Sequence, residues 1–410
     1  VPITIKDAIA TAGMRTTSGF PPWADFVPAE DAPVVAQLRM AGAIIVGKTN
    51  LPPLSGDGQT DNPIFGRSNN PWDVTRTPGG SGGGGGAALA AGLTPIDIGG
   101  DIGGSLRIPA HFCGICALKP SEYRVPGTGY HPSPWQGTPS ATRQQMGLIG
   151  PMARSVDDLI LVLRLIAGPD GQHIEIPPVP LDPLPSLALR NLRLAWADDF
   201  GGVPITQDTQ NALTNLISQL ERHGCRIERC MPDDIDWATV WETYGELFQA
   251  GVGSTPSPEA ETEEIASILG DEADTPFLRG MMRAVNMTMQ EYAWTLAKRD
   301  TFILALERFF AKWDALLCPV TATPAFPHCP TGTPLAVDDR FVPYWNGLLS
   351  YTAPFNLSGH PAVAVPLAHS RDGLPIGLQI VGRRWGEMKL LAIAKQISEV
   401  IGPFQRPPGY

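Results

Sequence analysis

The chain has 410 residues, of which 43% are hydrophobic and 17% charged, and this composition excludes a protein that is disordered throughout. Its 41 acidic residues outnumber 30 basic ones, and the net charge of −11 repels phosphate backbones and anionic lipid surfaces, so we expect neither a nucleic-acid nor a membrane partner. The sequence contains no long apolar run and no signal-peptide pattern, which predicts a cytoplasmic protein.

The start of the chain alternates strand and helix patterns. The opening VPITIK alternates Ile3 and Ile5 with polar residues that include Lys6, which is typical of a strand with one apolar face. Residues 32–42 carry apolar side chains at helical spacing, and the short β-branched run at 43–47 follows them. These patterns predict a helix that leads into a second strand.

A run of glycines from Gly79 to Gly86 surrounds Ser81 and leads into the helix-forming segment AALAAG. Phosphate binding through such a loop requires a GK[ST] ending, which is absent here. The run also matches the GxSxG nucleophile elbow, but Pro78 stands where that motif needs a central strand. Because a helix follows directly, the glycines indicate close backbone packing rather than a flexible linker.

A second glycine-rich turn, at residues 99–105, lies between two strand-like pieces. Its consecutive glycines allow backbone N–H groups to converge near the Ser105 hydroxyl, which is the geometry that an oxyanion hole requires. Asp101 and Arg107 flank the turn with opposite charges. We expect these two residues to brace the turn as an ion pair.

The six cysteines are too few for a disulfide framework in a chain of this length. Cys113 and Cys116 form the only close CxxC pair, and they lack the βαβ context of a redox motif. We therefore expect reduced thiols packed in the core. The sequence has no HExxH motif and no second CxxC pair, so we expect no metal site and no cofactor.

The rest of the chain continues the α/β alternation. Ser155 is an N-cap candidate for a helix that ends near Gly168. The acidic segment 254–275 predicts a solvated excursion, and a continuous helical pattern runs from Phe277 to Trp313. The other patterns are a proline-dense crossing at 177–186, strand, helix and strand between 192 and 230, strands at 315–327, 360–370 and 374–382, and a closing helix at 387–402. We predict one α/β domain over residues 1–410.

Aromatic and methionine side chains recur at helical spacing in the middle of the chain. Such stripes are usually core, but they can also line an apolar substrate pocket. The candidate substrate contacts are Trp237, Trp241, Tyr244, Met281 and Met282.

Residues 77–121 resemble the signature of the amidase signature family almost position for position. The matching pieces are PGGS ending at Ser81, DIGGS ending at Ser105, and the following LRIPAHFCGICALKPS. IKDAIAT, GPMARSVDDL, FNLSGHPAVAVP and GLPIGLQIVG extend the similarity over nearly the whole chain. The resemblance implies an α/β fold with a large twisted mixed sheet covered by helices on both faces. It also implies that the helical stretch preceding IKD in the family is missing here.

The resemblance further implies a Ser-Ser-Lys triad in place of Ser-His-Asp. By matching residues, Ser105 is the nucleophile, Ser81 the bridging serine and Lys6 the base. The family holds the bridging serine on a cis peptide, here between Gly80 and Ser81. The implied oxyanion donors are the N–H groups of Ile102, Gly103, Gly104 and Ser105, and the implied supports of the site are Asp101, Arg107 and Gly80.

A lysine can act as a base only in its neutral form, which requires a pKa well below the ordinary value of about 10.4. Burial of Lys6 on a strand between α/β layers supplies the necessary desolvation. The chain departs from the family at Gly82, where many relatives carry a second serine. This departure removes a hydroxyl close to the implied triad.

We therefore expect a cofactor-free hydrolase that cleaves a small, hydrophobic amide, anilide or carbamate through an acyl-enzyme, as a monomer or homodimer. Two alternatives stay open. One is the amidotransferase subunit that acts on glutamine for aminoacyl-tRNA, which needs partner chains. The other is a non-catalytic binding module on the same scaffold, against which the intact Ser105, Ser81 and Lys6 argue.

Overall fold

The structure is a computed structural model that describes residues 1–131, 145–173, 175–232, 235–252 and 275–410. The predicted acidic excursion at 254–275 lies outside the described residues except for Thr275. The strands are β1 (Pro2–Lys6), β2 (Ile44–Thr49), β3 (Asp61–Asn62), β4 (Gly66–Arg67), β5 (Ile96–Asp101), β6 (Cys116–Lys119), β7 (Leu148–Ala153), β8 (Arg193–Trp196), β9 (Arg226–Arg229), β10 (Ala315–Pro319), β11 (Leu335–Val337), β12 (Arg340–Val342), β13 (Ala362–His369) and β14 (Pro375–Val381).

The helices are α1 (Pro33–Met40), α2 (Gly83–Ala90), α3 (Arg107–Cys113), α4 (Val156–Ile166), α5 (Gln207–Arg222), α6 (Trp237–Val252), α7 (Pro276–Ala284), α8 (Met289–Phe310), α9 (Tyr344–Leu349), α10 (Ala353–Leu357) and α11 (Glu387–Ile401). The predicted N-cap of α4 is confirmed, because Ser155 Oγ accepts a hydrogen bond from the Asp158 N–H. No described helix combines the length and apolar character needed to cross a membrane.

Within the described residues, ten strands form one mixed sheet in the order β2-β1-β5-β7-β6-β13-β14-β10-β8-β9. The pairs on the two flanks, such as β1 with β2 and β8 with β9, are parallel. The central pairs, such as β5 with β7 and β13 with β14, are antiparallel. The predicted α/β class with a large mixed sheet is confirmed.

The two faces of the sheet bury different hydrophobic clusters because side chains alternate along each strand. On β13, Val363 and Val365 pack in the cluster formed with α1, α4, α5 and α11. Ala364 lies on the opposite face, in a cluster with residues of α2 and α3. An aromatic cluster that includes residues of α6, α7 and α8 extends the cover on that second face. Helices therefore cover both faces, as predicted.

Two predictions about elements were wrong, and one central strand was not predicted. The helical pattern from Phe277 to Trp313 is interrupted between α7 and α8, where Thr288 and Glu291 form a capping box that starts a new helix. Helix α2 begins at Gly83, inside the glycine run rather than after it. The sequence did not predict strand β7, which passes through Pro151 between β5 and β6.

Candidate active site

Lys6 lies at the end of β1 with none of its side chain exposed. Its neighbour Ile5 packs into the hydrophobic cluster on the other face of the sheet. Lys6 Nζ lies 2.6 Å from Ser81 Oγ, which is hydrogen-bond distance. Burial lowers the pKa of Lys6 to about 7, and the nearby charges of Asp101 and Asp97 oppose this shift. A neutral amine is therefore accessible near neutral pH.

The peptide bond between Gly80 and Ser81 is cis, as the resemblance implied. Gly80 packs directly on backbone, because a Cβ there would lie 2.6 Å from the Asp57 carbonyl oxygen. The N–H of the next residue, Gly82, donates to the Ser105 carbonyl oxygen at 3.1 Å. This bond joins the two serine-bearing turns, which are far apart in sequence.

The glycines at the start of α2 allow this helix to sit against the site. A Cβ on Gly84 would overlap the backbone of Asn50, and a Cβ on Gly85 would overlap the carboxyl group of Asp97. The predicted close backbone packing is confirmed, since larger residues have no room at these positions.

Asp101 and Arg107 form the predicted ion pair, and both side chains are fully buried. Arg107 Nε and Nη2 donate to the two carboxylate oxygens at 3.0 and 2.8 Å. Arg107 Nη1 donates to the Thr352 carbonyl and to Gln379 Oε1. Burial alone raises the pKa of Asp101, but the charge and hydrogen bonds of Arg107 together with Asn356 hold that pKa at about 2. The carboxylate thus stays ionised beneath the glycine turn.

The Asp101 carboxylate also holds the backbone of the turn. Its Oδ1 accepts the Gly104 N–H at 2.9 Å, and its Oδ2 accepts the Leu106 N–H at 3.1 Å. The expectation that the Gly104 N–H is an oxyanion donor is therefore corrected, because this N–H already donates to Asp101. Within the described part of the chain, the N–H groups of Gly103 and Ser105 donate no hydrogen bond.

The Ser105 side chain is partly exposed, in contrast to the buried Lys6 and Ser81. Its hydroxyl makes no hydrogen bond to any residue that the structure describes. The Lys6 to Ser81 contact is thus formed in this state, while a bond from Ser81 to Ser105 is not. Because catalytic hydrogen bonds often tighten only when substrate is bound, the open Ser105 hydroxyl is compatible with a nucleophile.

Sequence reasoning missed two residues beside Lys6. Asp97 is fully buried on β5, where its Oδ1 accepts hydrogen bonds from Thr4 at 2.7 Å and Thr49 at 3.0 Å while its Oδ2 has no partner. Burial raises the pKa of Asp97 to about 7. Tyr130 places its hydroxyl 3.5 Å from Lys6 Nζ. An acidic residue inside an apolar strand pattern was the available signal for Asp97, whereas Tyr130 reaches the site from a loop.

The predicted substrate contacts divide into three groups. Trp241 and Met281 are buried in the aromatic cluster, and Trp237 stacks on Phe200 at 5.0 Å. Tyr244 lies against the glycine turn, where its hydroxyl donates to the Ile102 carbonyl at 3.1 Å. Met282 is 40% exposed and lines a surface cavity of about 790 Å³ that none of Lys6, Ser81 and Ser105 lines. These substrate contacts stay predictions.

All six cysteines are free, and the predicted core thiols are confirmed because Cys113 and Cys116 are buried. Burial raises the pKa of Cys116 to about 12, and the pKa of Cys113 is raised for the same reason. Neither thiol is activated as a nucleophile. Among the described residues, no group of three or more His, Cys, Asp or Glu side chains is arranged to hold a metal ion.

Comparisons with known proteins agree on one family. The family described as Amidase matches residues 1–391. A glutamyl-tRNA(Gln) amidotransferase subunit of Methanococcoides burtonii is 31% identical over all of this chain and 86% of its own length. Indoleacetamide hydrolase of Bradyrhizobium diazoefficiens is 32% identical over 98% of this chain and 74% of its own length. The crystal structure of the corresponding amidotransferase subunit from Thermotoga maritima superposes with a TM-score of 0.82 at 26% identity, covering 100% of this chain and 86% of that one.

Proposed function

Since the chain belongs to the amidase family and is an enzyme that acts on carbon–nitrogen bonds other than peptide bonds, we propose that it hydrolyses a small, hydrophobic amide, anilide or carbamate with Lys6, Ser81 and Ser105. The observation that carries this proposal is the 2.6 Å contact between Lys6 Nζ and Ser81 Oγ in a fully buried position. An amine with its pKa lowered to about 7 by burial can accept a proton at neutral pH.

The reaction begins when neutral Lys6 takes a proton from Ser81. Ser81 then takes the proton of Ser105, whose oxygen attacks the substrate carbonyl carbon and forms a tetrahedral intermediate. Free N–H groups at Gly103 and Ser105, together with that of Ile102, stabilise the oxyanion, and such a donor contributes about 3–4 kcal/mol in other enzymes.

Collapse of the intermediate breaks the carbon–nitrogen bond. The ammonium of Lys6 returns a proton through Ser81 to the leaving nitrogen, and the acyl group stays on Ser105 as an ester. Water, deprotonated by the same two residues, then hydrolyses this ester and releases the carboxylic acid. No proton is gained or lost by the enzyme over the cycle.

The preference for a hydrophobic substrate rests on the aromatic cluster beside the glycine turn. Tyr244, which contacts the turn, packs against Trp241, Phe248 and Phe277 with ring centroids 5.5–6.0 Å apart. Apolar and aromatic side chains beside a site favour apolar ligands. The name of the indoleacetamide hydrolase among the relatives agrees with an arylalkyl amide as substrate.

A second candidate is an amidotransferase subunit that hydrolyses glutamine. Similarity over the whole chain to a subunit of the glutamyl-tRNA(Gln) amidotransferase favours it. This function predicts glutamine hydrolysis that depends on partner chains, whereas the leading proposal predicts turnover of arylamides by a monomer or homodimer alone.

The test combines active-site labelling with a substrate panel. A fluorophosphonate probe should label Ser105, as mapped by mass spectrometry, and the S105A variant should carry no label. The purified chain should hydrolyse arylamides, anilides or carbamates faster than glutamine. Label on another residue contradicts Ser105 as the nucleophile, and absence of any label favours a binding module. Glutamine hydrolysis alone favours the amidotransferase function.

A further inference from the structure

The carbonyl groups of the turn from Asp101 to Ser105 are all held by separate donors. Four come from outside the turn's own strand and helix: Asn356 Nδ2 to Asp101 O at 3.1 Å, Tyr244 OH to Ile102 O at 3.1 Å, Thr352 Oγ1 to Gly103 O at 2.5 Å and Gly82 N–H to Ser105 O at 3.1 Å. The fifth is Ile108 N–H to Gly104 O at 2.7 Å, from the first turn of α3.

A carbonyl that is fixed in this way also fixes the N–H of the next residue. The peptide unit is planar and trans, so its C=O and N–H point in opposite directions. The peptide between Gly103 and Gly104 is held at both ends, by Thr352 and by Asp101. The peptide between Ile102 and Gly103 has its carbonyl held by Tyr244, while its N–H donates to no described residue.

Tyr244 is itself rigidly placed. Its side chain is 1% exposed, and its ring packs between aromatic neighbours of α6 and α7. Its hydroxyl also lies close to Gly103 and leaves no room for a side chain there, since a Cβ on Gly103 would lie 2.7 Å from that oxygen. Burial raises the pKa of Tyr244, so the hydroxyl stays protonated and able to donate at any working pH.

We propose that Tyr244 is a positioning residue that aims the Gly103 N–H at the carbonyl oxygen of the substrate by holding the Ile102 carbonyl in place. This inference rests on the proposed function, because the Gly103 N–H stabilises an oxyanion only if the enzyme catalyses acyl transfer. It gives helix α6 a role in the chemical step itself, in addition to any part in the substrate pocket.

The Y244F variant tests the inference, because it keeps the ring and removes the hydroxyl. Removal of one oxyanion donor lowers kcat by about 100- to 1000-fold in other enzymes, and a donor that is misaimed rather than removed should cost about tenfold. We expect kcat for an arylamide to fall about tenfold with KM within about twofold of the wild-type value. The Ki of an aryl trifluoromethyl ketone, which forms a tetrahedral adduct, should rise by about the same factor as kcat falls.

Tyr292 provides the matched control. It is a tyrosine of α8 whose hydroxyl donates to Gln145 Oε1 at 3.2 Å and makes no hydrogen bond to residues 101–105. The Y292F variant should keep kcat, KM and the inhibitor constant of the wild-type enzyme. Thermal denaturation of both variants separates loss of folding from loss of chemistry.

A double-mutant cycle adds an independent measurement. In G103A the new methyl group displaces the Tyr244 hydroxyl, so Y244F should lower kcat far less in the G103A background than in the wild-type enzyme. An unchanged kcat and inhibitor constant in Y244F, or additive effects in the cycle, would overturn the role of Tyr244. If the wild-type enzyme labels at Ser105 in the same preparation, that failure concerns Tyr244 alone, whereas absent wild-type labelling overturns the proposed function as well.

Discussion

The glycine turns around Ser81 and Ser105 and the aromatic helices α6 to α8 meet where Tyr244 contacts Ile102, and different forces hold these two regions together. In the turns, buried charges and backbone groups satisfy one another through short, directional hydrogen bonds. In the helices, aromatic rings pack through apolar contacts that tolerate a range of distances and ring angles. A substitution in the turns should therefore produce a large and specific loss, whereas a substitution on the helices should produce a graded one.

The largest effect on stability should follow removal of the Asp101 carboxylate. In D101A the Arg107 guanidinium loses its partner while fully buried, and breaking such a pair costs about 3–5 kcal/mol of unfolding free energy. Urea denaturation measures this loss. The control is D208A, whose partner Arg371 is 65% exposed, and it should change stability by less than about 1 kcal/mol. Equal losses of unfolding free energy in D101A and D208A would contradict the expected difference between a buried and an exposed ion pair.

The G82S variant introduces a second serine directly after Ser81. A Cβ at this position would lie 2.6 Å from the Ser105 carbonyl oxygen, so the turn must shift and weaken the bond that joins the two serine loops. We expect kcat for an arylamide to fall about tenfold. G47A on the exposed edge strand β2 has open space around its Cβ and should behave as the wild-type enzyme. Higher activity in G82S would show that the turn adapts without cost.

The D97N variant should move the acid limb of the pH–rate profile. The negative charge of Asp97 favours the ammonium form of Lys6 and so raises its pKa, and removing that charge lowers the pKa. The midpoint of kcat/KM against pH should therefore shift to lower pH, by less than about one unit because Asp97 is itself only partly ionised near pH 7. D157N, an exposed carboxylate bound to Lys395, should leave the midpoint in place. A shift to higher pH would contradict the electrostatic account.

The smallest effect should come from truncating Met282, on the outer surface of α7. Met281 is buried and Met282 is 40% exposed, so the two neighbours form a matched pair. M281A should lose about 2–5 kcal/mol of unfolding free energy. M282A should change the unfolding equilibrium constant by less than about twofold and kcat/KM by less than about twofold. A large loss of kcat/KM in M282A alone would instead assign the outer cavity to the substrate.

Local patterns along the chain predicted most elements of the fold, because strands such as β1 and helices such as α5 carry clear periodicities. Strand β7 was missed because Pro151 argues against a central strand when only local sequence is considered. The break before α8 depends on one capping box, which a long apolar periodicity conceals. Local patterns therefore describe repeating elements better than their interruptions.

The candidate site was predictable only in part. Opposite charges around a glycine turn were enough to predict the Asp101–Arg107 pair, and the family resemblance pointed to Lys6 beside Ser81. The proximity of Tyr130 and Tyr244 to these groups depends on contacts between segments more than a hundred residues apart, which no local pattern reports. The engagement of the Gly104 N–H likewise became visible only from the orientation of a side chain.

Activation of Ser105 by neutral Lys6 is tested most sharply by the pH dependence of Ser105 labelling by a fluorophosphonate, followed by mass spectrometry. If neutral Lys6 activates Ser105 through Ser81, the labelling rate should rise about tenfold per pH unit below the Lys6 pKa of about 7 and level off above it. The K6M variant should label slowly and without this limb. A wild-type rate that does not change between about pH 5 and pH 9, or label carried by a residue other than Ser105, would contradict the account.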